Sequence, residues 1–325
     1  MYPFTFIKAP TESAALAAGA QGGKYIAGGT TLVDLMRETV ERPGKVVDIT
    51  ALPYREIESG PSALRVGALV RMADLAAHPV VRSRFPVISQ ALELSASAQL
   101  RNMATIGGNI MQRPRCLYFR DVTAACNRRA PGTGCAAIGG ENRGHAVLGT
   151  SDQCVATHPS DLAVALVALD AVVLLRSRDG DRRIPVAEFI RRPGTTPDKE
   201  HDLRPGELIV GIEVPGGAHT ARSGYLKVRD RQSYEFALAS AAVALDIRDG
   251  VIRDARVAVG GVATVPWRLS DVERLLIGKA PGAELWAAAS AHAADGAKPL
   301  HGNGFKVELA KRTVERQLAS IGGAA

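Results

Sequence analysis

"KYIAGGTTLVDLM", residues Lys24–Met36, decides how this chain is to be read. Lys24–Ala27 has the character of a short strand, and Gly28 and Gly29 break it. Leu32, Leu35, Met36 and Val40 then recur on one side of a helix. Thr31 with Asp34 predicts a capping pair at the start of that helix. "KVVDI" (Lys45–Ile49) follows as a second strand, so the unit is strand, glycine turn, helix, strand. Without a Cβ, the two glycines let backbone N–H groups approach an anion, and the helix N-terminus adds a favourable dipole. Each such contribution is worth about 0.3–1 kcal/mol at an exposed site. Nanomolar retention of a dinucleotide needs about 12 kcal/mol. A second anchoring segment is therefore required.

"ATIGGNI" (Ala104–Ile110) is the candidate: Gly107 and Gly108 open the backbone again, and Thr105 and Asn109 supply hydrogen-bonding side chains. "GTGCAA" (Gly132–Ala137) also fits a dinucleotide glycine pattern, but it follows "NRRAP", which is no buried strand, so the required context is missing. The chain has no P-loop motif.

Further along, Leu64–Ala68, Ala171–Leu175 and "LIVGIEVP" (Leu208–Pro215) read as strands, and Ser160 as a helix cap. Arg191–Glu207, rich in Pro, Gly and charge, reads as a long loop. A boundary is expected at "GGAHTARSG". Beyond it, "ALASAAVALDI", a turn at Asp249–Gly250 and "VIRDARVAVGGV" form a hairpin, and helices are expected over Ala283–Ala294 and Phe305–Ser320.

The 325 residues, 46% hydrophobic and 22% charged, suit a globular protein of two or three domains. No apolar run approaches the roughly eighteen residues of a membrane span, and "MYPFTFIKAPTESAAL" lacks the succession of a signal peptide. No membrane insertion is expected. The net charge of +7 raises nucleic acid as a partner, but no aromatic platform or reading helix accompanies it, so none is expected. Arginines gather instead at 113, 115, 120, 128, 129 and 143.

All four cysteines lie in that same region, spaced Cys116-x9-Cys126-x8-Cys135-x18-Cys154. Four thiolates satisfy a 4Fe–4S cluster or a structural zinc ion, and two disulfides would suit an oxidising compartment. Neither the paired-cysteine knuckle of zinc modules nor ferredoxin spacing is present, and spacing alone leaves iron–sulfur and zinc both open. Arginines around a thiolate-bound cluster would offset its negative charge.

The segments "YIAGGTTLVDLM" and "ATIGGNI", with "HPSD" (His158–Asp161) as a Pro-x-Asp element, resemble the FAD-binding subunits of molybdenum hydroxylases, the xanthine dehydrogenase and aldehyde oxidase group. "KVRDRQSYEFALAS" (Lys227–Ser240) resembles the opening of that family's C-terminal domain. The gap before "HPSD" is lengthened, and the lengthening holds the cysteines. This makes the chain most similar to the FAD/4Fe–4S subunit of three-subunit bacterial aldehyde oxidoreductases, including the periplasmic type. It is less similar to the flavin subunit of 4-hydroxybenzoyl-CoA reductase.

The resemblance implies an α+β fold: a two-lobe FAD-binding domain of the vanillyl-alcohol-oxidase type over residues 1–216, with lobes of about 1–52 and 53–216 and a cysteine insertion at about 112–156. A C-terminal domain of antiparallel sheet and helices would follow over 217–325. It also implies an oxidoreductase subunit, active as a heterotrimer with a large molybdenum-cofactor subunit and a small 2Fe–2S subunit, passing electrons through FAD to an external acceptor. The redox chemistry would lie on FAD, with no catalytic side chain. Lys24, Tyr25, Ile26, Ala27, Gly28, Gly29, Thr30, Thr31 and Leu32 would wrap the diphosphate, and Thr105, Gly108 and Asn109 would complete the cradle. Asp161 would bond the ribityl or adenosine side, Lys227 would lie near the isoalloxazine, and Leu208 and Ile209 would form an apolar wall. Cys116, Cys126, Cys135 and Cys154 would hold a [4Fe–4S] cluster. Location would be the cytoplasm, or the periplasm by co-export on a partner's signal. The rival readings are a xanthine dehydrogenase-like hydroxylase subunit, a self-contained flavin oxidase, and a zinc-bearing interaction module in which His145 and His158 could serve as ligands.

Overall fold

The computed structural model describes residues 1–323. At the N-terminus a three-stranded parallel sheet runs in the order β1 (Thr5–Lys8), β3 (Lys45–Asp48), β2 (Lys24–Ile26). Parallel neighbours require crossovers, supplied by the helices Glu12–Ala20 and Leu32–Arg37. The expected strand, glycine turn, helix, strand unit is thus present. Its cap is not: the Thr31 side chain makes no capping bond. Asp34 instead accepts from Arg115 at 3.1 Å and from Arg120, because the cysteine insertion folds back onto this helix.

A second sheet is antiparallel throughout, in the order β4 (Ile57–Ser59), β5 (Ala63–Gly67), β8 (Leu208–Pro215), β6 (Val172–Ser177), β7 (Gly180–Pro185). Its core includes the helix Asp161–Ala168, every residue of which is buried. That burial explains the continuous apolar run "LAVALVA", since a helix packed on all sides shows no polar face. Ser160 caps it as expected, its hydroxyl accepting from the Ala163 N–H at 3.0 Å.

The C-terminal sheet has the order β12 (Trp267–Arg268), β11 (Val251–Gly260), β10 (Ala239–Arg248), β9 (Ser223–Val228). β10 and β11 form the expected hairpin, with positive φ at both Asp249 (53°) and Gly250 (70°), the turn that matches strand twist. The helix Phe305–Gly322 packs against β10. The helix Asp161–Ala168 also contacts β10 and β11, so it is shared by both halves of the molecule.

The insertion contains only short helical turns, Leu117–Arg120 and Ala136–Gly139. It holds its place by docking. Val147 and Leu148 join the C-terminal core, and their N–H groups donate to the Val262 carbonyl at 2.8 and 3.0 Å. Lys306, with no exposed surface, reaches from the C-terminal helix and donates to the carbonyls of Gly144 (3.0 Å) and Gly261 (2.7 Å). No carboxylate is among these partners, and burial lowers the ammonium from an ordinary 10.5 to about 7, with Arg143 adding repulsion.

Between pH 7 and 10.5 the unfolded chain therefore binds a proton at Lys306 that the folded chain does not, so this residue makes stability rise with pH across that window. Denaturant unfolding of wild type and Lys306→Met from pH 6.5 to 10.5 should show the difference between them shifting in favour of wild type as pH rises. Parallel curves would mean that Lys306 stays charged in the fold.

Candidate functional site

Between the parallel sheet and the five-stranded sheet lies a cavity of about 950 Å³, at the upper end of the range of small-molecule and cofactor sites. One wall is the whole segment Lys24–Leu32. Gly29 takes φ 70°, where a side chain would be strained, to turn the chain from β2 into the following helix. Gly28 serves a different need. A Cβ there would stand 2.0 Å from the Met103 carbonyl oxygen, so the first glycine turn presses directly on the chain entering the second.

The two glycine turns are not equivalent. Among the described residues, the backbone N–H groups of Gly28, Gly29, Thr30 and Thr31 have no protein acceptor. Four successive free donors beside a cavity make an anion cradle. In the second turn the donors are already engaged: Ile106 N–H with Val70 O (2.9 Å), Gly107 N–H with Ala68 O (2.9 Å), and Gly108 N–H with Thr105 Oγ (3.3 Å). Gly107 is there for packing, since a Cβ would meet Ala68 at 3.0 Å. Thr105 and Gly108 still line the cavity, and the Thr105 hydroxyl keeps its proton free for a ligand. Leu208 and Ile209 line it as expected.

Three of the expected cofactor residues do not line this cavity. Asn109 points inward, its Nδ2 donating to the Met72 sulfur (3.4 Å) and its Oδ1 accepting from Ser160 Oγ (2.6 Å). Asp161 and Lys227 are paired with each other at 2.8 Å, both buried. Asp161 also accepts from Tyr225 Oη (2.8 Å) and Ser95 Oγ (3.0 Å), and Lys227 also donates to Leu94 O (3.1 Å). Their charges are satisfied inside the protein, in a network that fastens β9 to the helix Asp161–Ala168. Asp161 borders a smaller cavity of about 280 Å³.

The loop Arg191–Glu207 closes the large cavity and was not singled out as a site by the sequence. Its length without regular structure is the one signal that could have done so. His201, on this loop, is 3.2 Å from Ile110 O and stacks near Phe189, and burial lowers it to about 4, so it is neutral at pH 7. Glu200 lies within 2.5 Å of Arg113, which also pairs with Glu41 at 2.8 Å and covers the Phe119 ring.

The four cysteines converge. All are free, and together they line a void of about 10 Å³. Cys126 and Cys135 face each other across an antiparallel bridge. Between them, Asn127 Oδ1 accepts from the N–H groups of Gly132 (3.1 Å) and Gly134 (2.8 Å), both at positive φ. The "GTG" that mimics a dinucleotide motif is thus a turn that closes the cysteine site. The backbone N–H groups of Phe119 and Tyr118 favour the thiolate form of Cys116, and those of Ala137, Val155 and Ile138 that of Cys135, though burial outweighs them. Arg128 Nη2 donates to Cys154 Sγ at 3.5 Å, and His145 Nε2 lies 3.2 Å from Cys116 Sγ. Burial pushes Cys116 up to about 11 and raises Cys135. These thiols remain protonated until a cation replaces the proton. Among the described residues no three His, Cys, Asp or Glu side chains form a group that could hold a single metal ion.

Most of the clustered arginines act on protein groups. Arg129 donates to the carbonyls of Tyr118 and Phe119 at 2.8 Å, Arg120 and Arg115 hold Asp34, and Arg143 holds Asp230 at 2.8 and 3.1 Å. Of these arginines, Arg128 is the one that touches a cysteine sulfur among the described residues.

Comparison with known proteins places this architecture. Residues 3–217 match the FAD binding domain in molybdopterin dehydrogenase, and residues 224–321 match the CO dehydrogenase flavoprotein C-terminal domain. The chain is 47% identical over 326 aligned residues to the aldehyde oxidoreductase FAD-binding subunit PaoB of Escherichia coli, covering 98% of each. It is 29% identical to the glyceraldehyde dehydrogenase medium chain of Sulfolobus acidocaldarius, covering 86% of this chain and 83% of that one. Among solved structures, the carbon monoxide dehydrogenase of Hydrogenophaga pseudoflava superposes with a TM-score of 0.75 at 26% identity, over 99% of this chain and 98% of that one. The quinoline 2-oxidoreductase of Pseudomonas putida 86 shares the fold, with a TM-score of 0.76 at 22% identity over 99% and 97%. A glycine-walled cavity between two lobes, and matches that run the length of both halves, have one meaning: the chain belongs to the FAD-binding subunits of the molybdopterin dehydrogenases, oxidoreductase subunits that work beside partner chains.

Proposed function

We propose that this chain is the flavin and iron–sulfur subunit of a three-subunit, aldehyde-oxidising molybdenum hydroxylase. FAD occupies the cavity of about 950 Å³, and a [4Fe–4S] cluster is held by Cys116, Cys126, Cys135 and Cys154. The observation that carries the reading is the convergence of four free thiols, Cys126 and Cys154 buried and Cys116 and Cys135 half-buried, beside a cavity whose wall offers four unpaired backbone N–H groups. The aldehyde as substrate class rests on the similarity to the Escherichia coli subunit along the whole chain. Molybdenum and 2Fe–2S centres then belong to a large and a small partner.

The residues fit both groups. Gly28–Thr31 meet the diphosphate through the backbone, with the Thr105 hydroxyl as a further donor. Leu208 and Ile209 present apolar surface to the ring, and the loop Arg191–Glu207 limits water on that side. Bound FAD supplies the electron exchange between the partner subunits and an external acceptor. In the insertion, nearby backbone N–H groups favour thiolate charge at Cys116 and Cys135, and donors near the sulfurs raise a cluster's potential. Arg128 compensates part of the same charge from within the protein. Four thiols match the four ligands that a [4Fe–4S] cluster takes, one per iron.

The chain, co-expressed anaerobically with its partner subunits, should show flavin bands over an iron–sulfur shoulder and about four irons assigned to it. Cys126→Ala should lose the iron. Zinc in place of iron, with no flavin, would overturn the reading. Gly28→Ala places a methyl against the Met103 carbonyl and should weaken flavin retention at least about tenfold, or about 1.4 kcal/mol, while iron content stays unchanged. Flavin content equal to wild type after extensive dialysis would remove the Gly28 contact from the account.

A further inference from the structure

The cysteine site and the cavity are joined by a line of paired charges, buried at Arg128 and Glu200 and half-buried at Arg113. Arg128, 5% exposed, donates from Nη2 to Cys154 Sγ at 3.5 Å and forms an ion pair through Nη1 with Glu200 Oε2 at 3.2 Å. The other oxygen of Glu200, Oε1, accepts from Arg113 Nε at 2.7 Å and lies 2.5 Å from Arg113 Nη2 in an ion pair. Arg113 continues to Glu41 at 2.8 Å, and Glu41 meets Lys24 at 3.5 Å. Arg113, Glu200, Glu41 and Lys24 all line the large cavity, whereas Arg128 lines the void among the sulfurs. Glu200, with its side chain only 8% exposed, bridges the two guanidinium groups. Arg128 and Glu200 are buried and in direct contact, so their interaction acts at a lower effective dielectric than in water and is several-fold stronger. Two arginines share one carboxylate, so any change in charge at one end alters how strongly Glu200 offsets the arginine at the other.

We propose that Glu200 is the positioning residue that couples the two redox sites electrostatically: its single negative charge sets the reduction potentials of the cysteine-bound cluster and of the flavin together. The proposal rests on the cofactor assignment above and goes beyond it, since holding two groups does not by itself make their potentials depend on one residue. The sign follows from Coulomb's law. Reduction adds negative charge, so a nearby carboxylate disfavours it. Removing that carboxylate, with both arginines left in place, favours reduction at both ends.

The test is a potentiometric titration of the assembled complex, following the cluster by electron paramagnetic resonance and the flavin by its visible absorption. Glu200→Gln keeps the shape and removes the charge, and both midpoint potentials should rise relative to wild type. Glu207→Gln is the control. Glu207 also lines the cavity, but its arginine is Arg182, which has no contact with the cysteine site. Its substitution should leave the cluster potential unmoved. Should Glu200→Gln fail to assemble, Arg113→Gln tests the same link from the other end. Loss of its positive charge lowers the flavin potential and leaves Glu200 less neutralised, so the cluster potential falls as well. A shift at only one site in either variant, or at neither, overturns the proposal. Wild type lacking either signal would instead overturn the cofactor assignment, so the two failures are distinguishable.

Discussion

A backbone contact with no room for a single methyl organises the cofactor side of this molecule. Gly28 lies against the Met103 carbonyl so closely that any other residue would force the two segments apart. That approach brings a loop of the parallel sheet onto the entrance of the helix Ile106–Ile110, which belongs to the other lobe. The cavity is the space left between them. Because the Gly28–Thr31 backbone is held in a turn by this contact, its N–H groups are withheld from both strand and helix and stay directed outward without acceptors. Free donors are thus a consequence of packing elsewhere. The second glycine turn carries the other half of the arrangement: its own donors are consumed by Ala68, Val70 and Thr105, which makes it a rigid floor.

The insertion solves a different problem. A segment with little regular structure and few large apolar residues cannot be held by a core of its own. It is held by arginines that bridge carbonyls and carboxylates, by Asn127 drawing two glycine N–H groups together, and by Val147 and Leu148 extending into the C-terminal core. A small shared cluster of Leu35, Phe119 and Cys126 ties it to the helix after the first glycine turn. The insertion therefore touches both the FAD lobe that precedes it and the domain that follows. Lys306 takes part in the second contact, although a buried ammonium facing only carbonyls is a cost to the fold.

The buried Asp161–Lys227 pair shows how the same chemistry can read differently in one dimension and in three. A carboxylate at the start of a helix and a lysine on a strand each suggest a ligand contact. Packed together with Tyr225 and Ser95, they satisfy one another and join the two halves of the chain. Asn109 behaves likewise, held by Met72 and Ser160. Breaking such a pair leaves an uncompensated buried charge, so both residues are needed by the fold itself.

Many strand and helix positions were legible in the sequence, because they depend on period and on neighbours a few residues away, although edge strands such as Thr5–Lys8 and Gly180–Pro185 were not. "KYIAGG" ends a strand wherever it is placed, Asp249–Gly250 turns a hairpin by its own φ preferences, and an all-apolar "LAVALVA" must be buried on every side. The gathering of four thiols in one polar window was legible too, because composition alone separates them from a core. What the sequence could not decide was which polar group faces which. The missing Thr31 cap, the inward turn of Asn109, the mutual pairing of Asp161 and Lys227, and the placing of Glu200 between Arg128 and Arg113 all depend on segments far apart in the chain meeting in space. A charged side chain takes the nearest partner once burial removes water, and only the tertiary structure determines which partner is nearest.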